Sequence, residues 1–398
     1  MSKLNQIYTT STLLAGTGII ILVLQMTQPF FAIFLTKHTN LGLANIGYLI
    51  GLSSLIGTLS AILGGQISDI IGHKRIILLS ILLTSIVLIL FYFVSILALP
   101  NLFLIFAYAL LNILLSVFTV SFIPSSQAVI SQFLPDTKHN LFFQLRYTVA
   151  TVAYSLGPIV VSVWSIIATP QAFLASGIIC FAYLIFLLSA FRKVKFKPYD
   201  PYEENLNFKK ISGILAQDHR IIYLAIIGII FYFSQSLFVV PFSLFLTKDF
   251  NHGLEIFTIL LIINPVIVFI CQPIIYWLAK NKKLVHVLML GLTVNAAAFF
   301  LLGFAAHHVT LVIAAWIISS IAETMIYPYV NSLINAMAPP ALRGSYFGFA
   351  NLAILGLSIG PLVGGKMIEI HHLDYLFLAT GCLSLLACVL CRKIQTKA

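Results

Sequence analysis

Gly65-Gln66-Ile67-Ser68-Asp69-Ile70-Ile71-Gly72-His73-Lys74-Arg75 closes one long apolar run, about 44–70, and opens another, about 76–98. Its glycines permit close helix approach and a tight turn. Asp69 can accept hydrogen bonds from the exposed N–H groups of a helix end, and Lys74 and Arg75 hold such a turn on the cytoplasmic side of a bilayer. The stretch therefore reads as the short charged connection between two membrane-crossing helices, each near the roughly 20 residues a bilayer requires.

The rest of the chain repeats that unit. Of 398 residues, 60% are hydrophobic and 8% charged, with a mean hydropathy of +1.06, whereas a soluble domain carries about 25% charge. Twelve apolar segments approach crossing length: 10–36, 44–70, 76–98, 101–124, 142–167, 172–191, 221–247, 254–279, 284–305, 309–333, 344–368 and 374–391. The net charge of +11 would also suit nucleic acid, but its placement is one-sided. Lys37, Lys248 and Lys366 fall on one face of the predicted topology, and the other 19 of 22 Lys and Arg lie at or near the opposite face. That positive-inside asymmetry puts both termini in the cytoplasm and removes nucleic acid from the expected partners. The apolar stretch after Lys3 is long and eleven more follow, so it reads as span one and not as a signal peptide.

One long polar segment divides the spans six from six, giving an N-terminal half over 1–191, a cytoplasmic linker over 192–220 and a C-terminal half over 221–398. Phe208, Ile211, Ile214 and Leu215 give the linker a short amphipathic stretch suited to the membrane interface. The halves echo each other. Pro29-Phe30 leads to Phe34-Leu35-Thr36-Lys37, and Pro241-Phe242 leads to Phe245-Leu246-Thr247-Lys248. Gly157-Pro158 in span five answers Gly360-Pro361 in span eleven. An even number of spans separates the copies, which predicts two parallel six-helix halves with substrate between them near the bilayer midplane.

Glu323 is the main functional candidate. The other ten of the eleven acidic residues fall in connecting segments or at span ends, whereas Glu323 lies well inside the apolar run from Leu311 to Val330. An acid at such depth costs about 2.5–3.5 kcal/mol on insertion scales, and such acids usually face wet cavities and handle protons or ligands; the alternative is a protonated structural acid. Polar residues recur at helical spacing in four spans: Gln25 and Gln28; Tyr108, Asn112, Ser116 and Thr119; Tyr232, Gln235 and Ser236; Ser320, Glu323, Tyr327 and Asn331. Each set falls on one helical face. From these stripes Gln25, Gln28, Asn112, Tyr232, Gln235, Tyr327 and Asn331 are the candidate substrate-binding residues, interhelical hydrogen bonding being the competing role. Arg146, one turn inside span five, needs a partner, which Glu323, Asp136 or lipid phosphate can supply.

Cys180, Cys271, Cys382, Cys388 and Cys391 all sit in apolar segments, where cysteine behaves as a small hydrophobe. Cys388 and Cys391 have redox-motif spacing without a second pair. His307-His308 and His371-His372 read as solvated loop residues. Metal sites and cofactors are not expected. An intramembrane enzyme would need a ligand or nucleophile set within the spans, such as His-Glu-x-x-His, but all ten histidines lie in loops or at span ends, so no enzymatic activity is expected.

The 65–75 stretch resembles the loop 2–3 signature of the major facilitator superfamily, with Ile70 where the family commonly carries Arg. The resemblance implies an all-α membrane protein of twelve transmembrane helices in two pseudo-symmetric halves. It also implies that Asp69 contacts the opposite half and helps hold the outward-facing state. Gly65, Gly72, Lys74, Arg75 and Arg146 complete the candidate switch set. Gly356, Gly360 and Gly364, with Pro361, form a smooth packing face in span eleven. They resemble the Gly-Pro-Gly-Gly signature of the family's drug–proton antiporters, which belongs to span five, where this chain keeps Gly157 and Pro158 alone. The Arg typical of span four in those antiporters is missing from 101–124.

The stretch from Ile321 through Pro328 and on to Phe349 is similar to bacterial multidrug exporters of the MdtH and LmrP kind. Leu24-Gln25, Pro29 and Leu145-Arg146 through Pro158 resemble sugar efflux transporters instead. The expected protein is then a proton-coupled exporter of amphiphilic compounds in a bacterial cytoplasmic (inner) membrane, monomeric, with protons, a small-molecule substrate and the bilayer as partners. A transporter of sugars or another small metabolite, such as a siderophore, is the alternative.

Overall fold

Proline lacks the N–H that an α-helix needs and crowds the preceding turn, and the two matching Pro-Phe pairs mark the two places where a long span is broken. α1 (Lys3–Thr27) gives way to a 3-10 turn, Gln28–Phe30, before α2 (Phe31–His38). α8 (His219–Leu237) stops ahead of α9 (Val240–Asp249), which carries Pro241 in its first turn. The breaks fall at equivalent places in the two sequence repeats.

The computed structural model describes residues 3–97, 99–133, 136–191, 217–305, 308–338, 346 and 349–394. At residues 3–9, 61–71, 123–124, 127–133, 136–145, 147, 305, 335 and 351 it describes the backbone alone. The described residues are helical with short connections and contain no strand. The remaining helices are α3 (Leu43–Ile71), α4 (His73–Ile96), α5 (Asn101–Phe133), α6 (Asp136–Val163), α7 (Pro170–Phe191), α10 (Gly253–Ala279), α11 (Leu284–Ala305), α12 (Val309–Met337), α13 (Gly356–Glu369) and α14 (Leu373–Leu390). Among the described residues, eleven stretches are long and apolar enough to cross a bilayer, and the apolar part of α6, Thr148–Val163, is a shorter twelfth. The expected all-helical, multi-span architecture is met. The linker residues 192–216, with the amphipathic stretch expected there, lie outside the described residues.

The chain divides into two compact units, residues 1–42 with 52–200, and residues 43–51 with 201–398. The first unit is held by an aromatic core. Phe91 stacks on Phe173 at 4.6 Å, Phe34 meets Phe173 edge-on at 4.9 Å, and Tyr108 closes the group while its hydroxyl donates to Ser95 Oγ at 3.0 Å. Tyr108, one of the polar-stripe residues, is wholly buried there, so its ring is core. Without a hydrophobic drive between helices in lipid, such dispersion contacts and small-residue approaches do the packing. Gly157 on α6 sits directly against the Gln25 side chain and backbone of α1.

The second unit has a matching aromatic core, Phe238, Phe242, Phe299 and Trp316, with ring centroids 5.0–5.3 Å apart at the Trp316 contacts. Gly356, Gly360 and Gly364 lay α13 on the broken span: a methyl group at each would fall on Ile229, Ser236 and Pro241 respectively. The opening turns of α3, which belong to this unit, bring Gly47 against the Pro361 carbonyl. At its centre the fully buried Asn295 joins four helices. Its amide donates to Ser234 Oγ and Ser384 Oγ, both at 3.1 Å, and its carbonyl accepts from Ser319 Oγ at 3.2 Å.

Candidate functional site

Glu323 sits near the middle of α12, and one face of that helix carries Trp316, Ser320, Glu323, Tyr327 and Asn331 at the three- and four-residue steps expected of a common side. Its carboxylate is partly buried. Asn264, on α10, donates from Nδ2 to Glu323 Oε2 at 3.1 Å and to Ser320 Oγ at 2.9 Å. Ser320 in turn donates to the Trp316 carbonyl at 2.9 Å. Oε2 is thereby engaged as an acceptor.

One turn from the carboxylate the site becomes aromatic. Tyr327 meets Phe231 edge-on at 5.0 Å and Tyr232 at 5.5 Å. Such rings present large, adaptable apolar surface with a negative face. Gln235, one turn further along α8, is partly buried, and its Nε2 has no hydrogen-bond partner among the described residues. Asn331 is exposed, and its amide donates to the Tyr327 carbonyl at 3.1 Å. These second-unit candidates thus share a neighbourhood, with Asn331 turned back onto its own helix.

The first-unit candidates form a separate set. Gln28 lies in the 3-10 break, partly buried, its Nε2 unpartnered among the described residues. Gln25 is partly buried beneath Gly157. Asn112 is 1% exposed on α5 with Oδ1 unpartnered among the described residues. Arg146 carries an unpartnered buried Nε on the same terms, and the Asp136 side chain lies outside the described residues.

The loop between α3 and α4 turns on Gly72, whose φ of +100° favours glycine. Its carbonyl accepts from the Arg75 and Ile76 amides at 3.0 and 3.2 Å. Lys74 donates to the Phe191 carbonyl at the end of α7 at 3.0 Å, with its ammonium 5.9 Å from the Phe191 ring centroid; a lysine there answers the exposed carbonyls and negative pole of a helix C-terminus. Arg75 is exposed. The Asp69 side chain lies outside the described residues.

Asn264, Asn295 and the Lys74–Phe191 contact escaped the reading of the sequence. The signal for the two asparagines was present: Asn295 is a lone amide in an apolar span, and Asn264 is an amide deep in another, just ahead of Pro265. Among the described residues no group of three or more His, Cys, Asp or Glu could hold a metal ion, and His371 and His372 are exposed.

A family model described as Major Facilitator Superfamily matches residues 13–222 and 224–396. An uncharacterized MFS-type transporter of Bacillus subtilis (strain 168), YqjV, is 28% identical over 378 residues, covering 93% of this chain and 89% of its own. A Na(+), Li(+), K(+)/H(+) antiporter of Planococcus maritimus is 26% identical over 372 residues, covering 85% of this chain and 84% of its own. Among solved structures, the nucleoside transporter NupG superposes with a TM-score of 0.75 at 13% identity, covering 97% of this chain and 98% of that one.

Proposed function

The chain belongs to the Major Facilitator Superfamily and is a multi-pass secondary transporter, and from that premise we propose that it exports amphiphilic, drug-like compounds in exchange for protons by alternating access. The observation that carries this reading is Glu323 held by Asn264 at 3.1 Å, one turn from the Phe231, Tyr232 and Tyr327 rings. An ionised carboxylate beside aromatic faces suits a delocalised lipophilic cation, since rings attract positive charge and supply apolar area together.

Protonating the same carboxylate removes the charge that holds the cation. Proton and substrate then compete for one group, and a pump that carries them in turn needs nothing further for coupling. A ligand can shift a conformational equilibrium only by its differential affinity for the two states, and loss of charge at Glu323 provides such a difference. The antiporter relative, whose name describes exchange of cations for protons, supports the direction of coupling. The switch residues Asp69, Gly72 and Lys74 bias that equilibrium from the turn between α3 and α4, without touching substrate.

Overexpression tests this reading. Cells carrying the protein should accumulate less ethidium than cells carrying the Glu323→Gln variant. Unchanged ethidium accumulation alongside clear movement of a labelled sugar would assign the site to neutral metabolites instead.

A further inference from the structure

The amide of Asn264 fills a position that a bound cation would also fill. Its Nδ2 stands 2.9 Å from Ser320 Oγ and 3.1 Å from Glu323 Oε2, so two oxygens of α12 converge on one electropositive group contributed by α10. Rotating that amide by half a turn presents Oδ1 to the same place. Three oxygens then face one another, an arrangement that is repulsive when empty and favourable around a positive ion.

Both helices also carry a proline near these residues. Pro265, next to Asn264, has no N–H to offer the Leu261 carbonyl, and Pro328 has none for the carbonyl of Thr324, the neighbour of Glu323. Within a membrane such carbonyls must find other partners. Carboxylate, hydroxyl, amide and carbonyl oxygens are all hard donors suited to a hard cation. With one carboxylate in the set, the charge matches a monovalent ion.

We propose that Glu323, Ser320 and Asn264 form a binding site for a monovalent alkali cation, sodium being the probe of choice, which the ionised carboxylate holds and a proton displaces. The proposal rests on the reading of Glu323 as the proton-coupling acid and makes the alkali cation a second competitor for it. On the helices packed against α12, the ionisable side chains among the described residues are Glu255, Cys271 and Tyr276 on α10, His286 on α11, and His219, Arg220, Tyr223 and Tyr232 on α8. At a rise of about 1.5 Å per residue, Glu255 and Cys271 lie on the order of 10 Å or more along α10 from Asn264. Tyr232 and Tyr327 are the aromatic neighbours at the site and carry no carboxylate. One carboxylate therefore governs the competition.

The test is binding of radioactive sodium to the purified full chain in detergent and choline buffer. Saturable binding of one sodium per chain at pH 8.5 is expected, weakening by up to about tenfold per pH unit as one proton competes for the site. Glu323→Gln should abolish it, and Asn264→Leu should weaken it at least about tenfold, the scale of one lost charge-assisted contact. Absence of saturable binding in the wild type, or binding indifferent to Asn264→Leu, overturns the proposal. If sodium fails to bind while Glu323→Gln still abolishes proton-driven efflux, the coupling reading stands and this site alone falls. Wild-type efflux by Glu323→Gln removes the reading beneath it.

Discussion

Asn264 on α10 and Glu323 on α12 are joined by an amide-to-carboxylate hydrogen bond of 3.1 Å, and the same amide nitrogen reaches Ser320 at 2.9 Å. The bond ties the acid of one helix to the amide of another, so the ionised acid has a donor waiting for it inside an apolar span. Removing that donor leaves a buried acceptor unsatisfied, at about 1–3 kcal/mol. Asn264→Leu should therefore slow proton-driven efflux by roughly 5- to 100-fold, measured as initial rates in proteoliposomes. Unchanged rates would mean that the amide does not serve the carboxylate.

Gly360 has no room for a side chain, because a methyl group there falls on Ser236. Overpacking of this kind costs about 1–3 kcal/mol. Gly360→Val is expected to lower the thermal unfolding midpoint in detergent by several degrees, whereas a valine at the exposed Cys382 should leave it near wild type. Equal midpoints for the two would contradict the packing of α13 on the broken span.

Asp218 caps α8 and gathers four donors. Arg220 donates from its side chain at 2.9 Å and from its amide at 3.1 Å, and the Tyr346 hydroxyl donates at 2.9 Å. Arg220 first, then Tyr346, holds the carboxyl below its ordinary value of 3.8. A depressed pKa in the folded state gives stability that is present above 3.8 and is lost as the pH falls below it, through the lower folded-state value. Asp218→Asn should unfold at a lower temperature than wild type at pH 7, with the gap narrowing as the pH falls below 3.8. A gap independent of pH would show that ionisation of Asp218 contributes nothing.

The basic-residue asymmetry predicts Lys37 and Lys248 on the outer face and Lys74 and Lys282 on the cytoplasmic face. Cysteines placed at these four positions, in a background lacking the native five, should react with an impermeant thiol reagent in intact cells only at the first pair. Labelling of the second pair alone reverses the orientation.

Much of the architecture was legible because a bilayer imposes it. Residues 76–98 and 374–391 read as spans from length and apolarity alone, and α4 and α14 occupy them. Pro29-Phe30 and Pro241-Phe242 marked the repeat, but a pattern of letters does not say that the helix breaks there; it breaks because proline removes a backbone donor in both places. Glu323 was legible as an outlier, since nothing else that acidic lies so deep in a span. Its partner was not. Asn264 lies 59 positions away, and only the packing of α10 on α12 brings the two together. Tyr108 marks the opposite limit: its spacing matched Asn112, yet its ring is buried among Phe34, Phe91 and Phe173. Helical periodicity identifies a face but not what the face meets.

Efflux driven by an imposed pH gradient in proteoliposomes tests the central claim, that Glu323 is the group proton and substrate share. Glu323→Gln mimics the protonated acid and keeps a hydrogen-bonding side chain opposite Asn264. The variant should fold and bind neutral ligands while losing gradient-driven ethidium efflux and the pH dependence of cation binding. If Glu323→Gln pumps ethidium at the wild-type rate, Glu323 is a structural acid and the proton passes elsewhere.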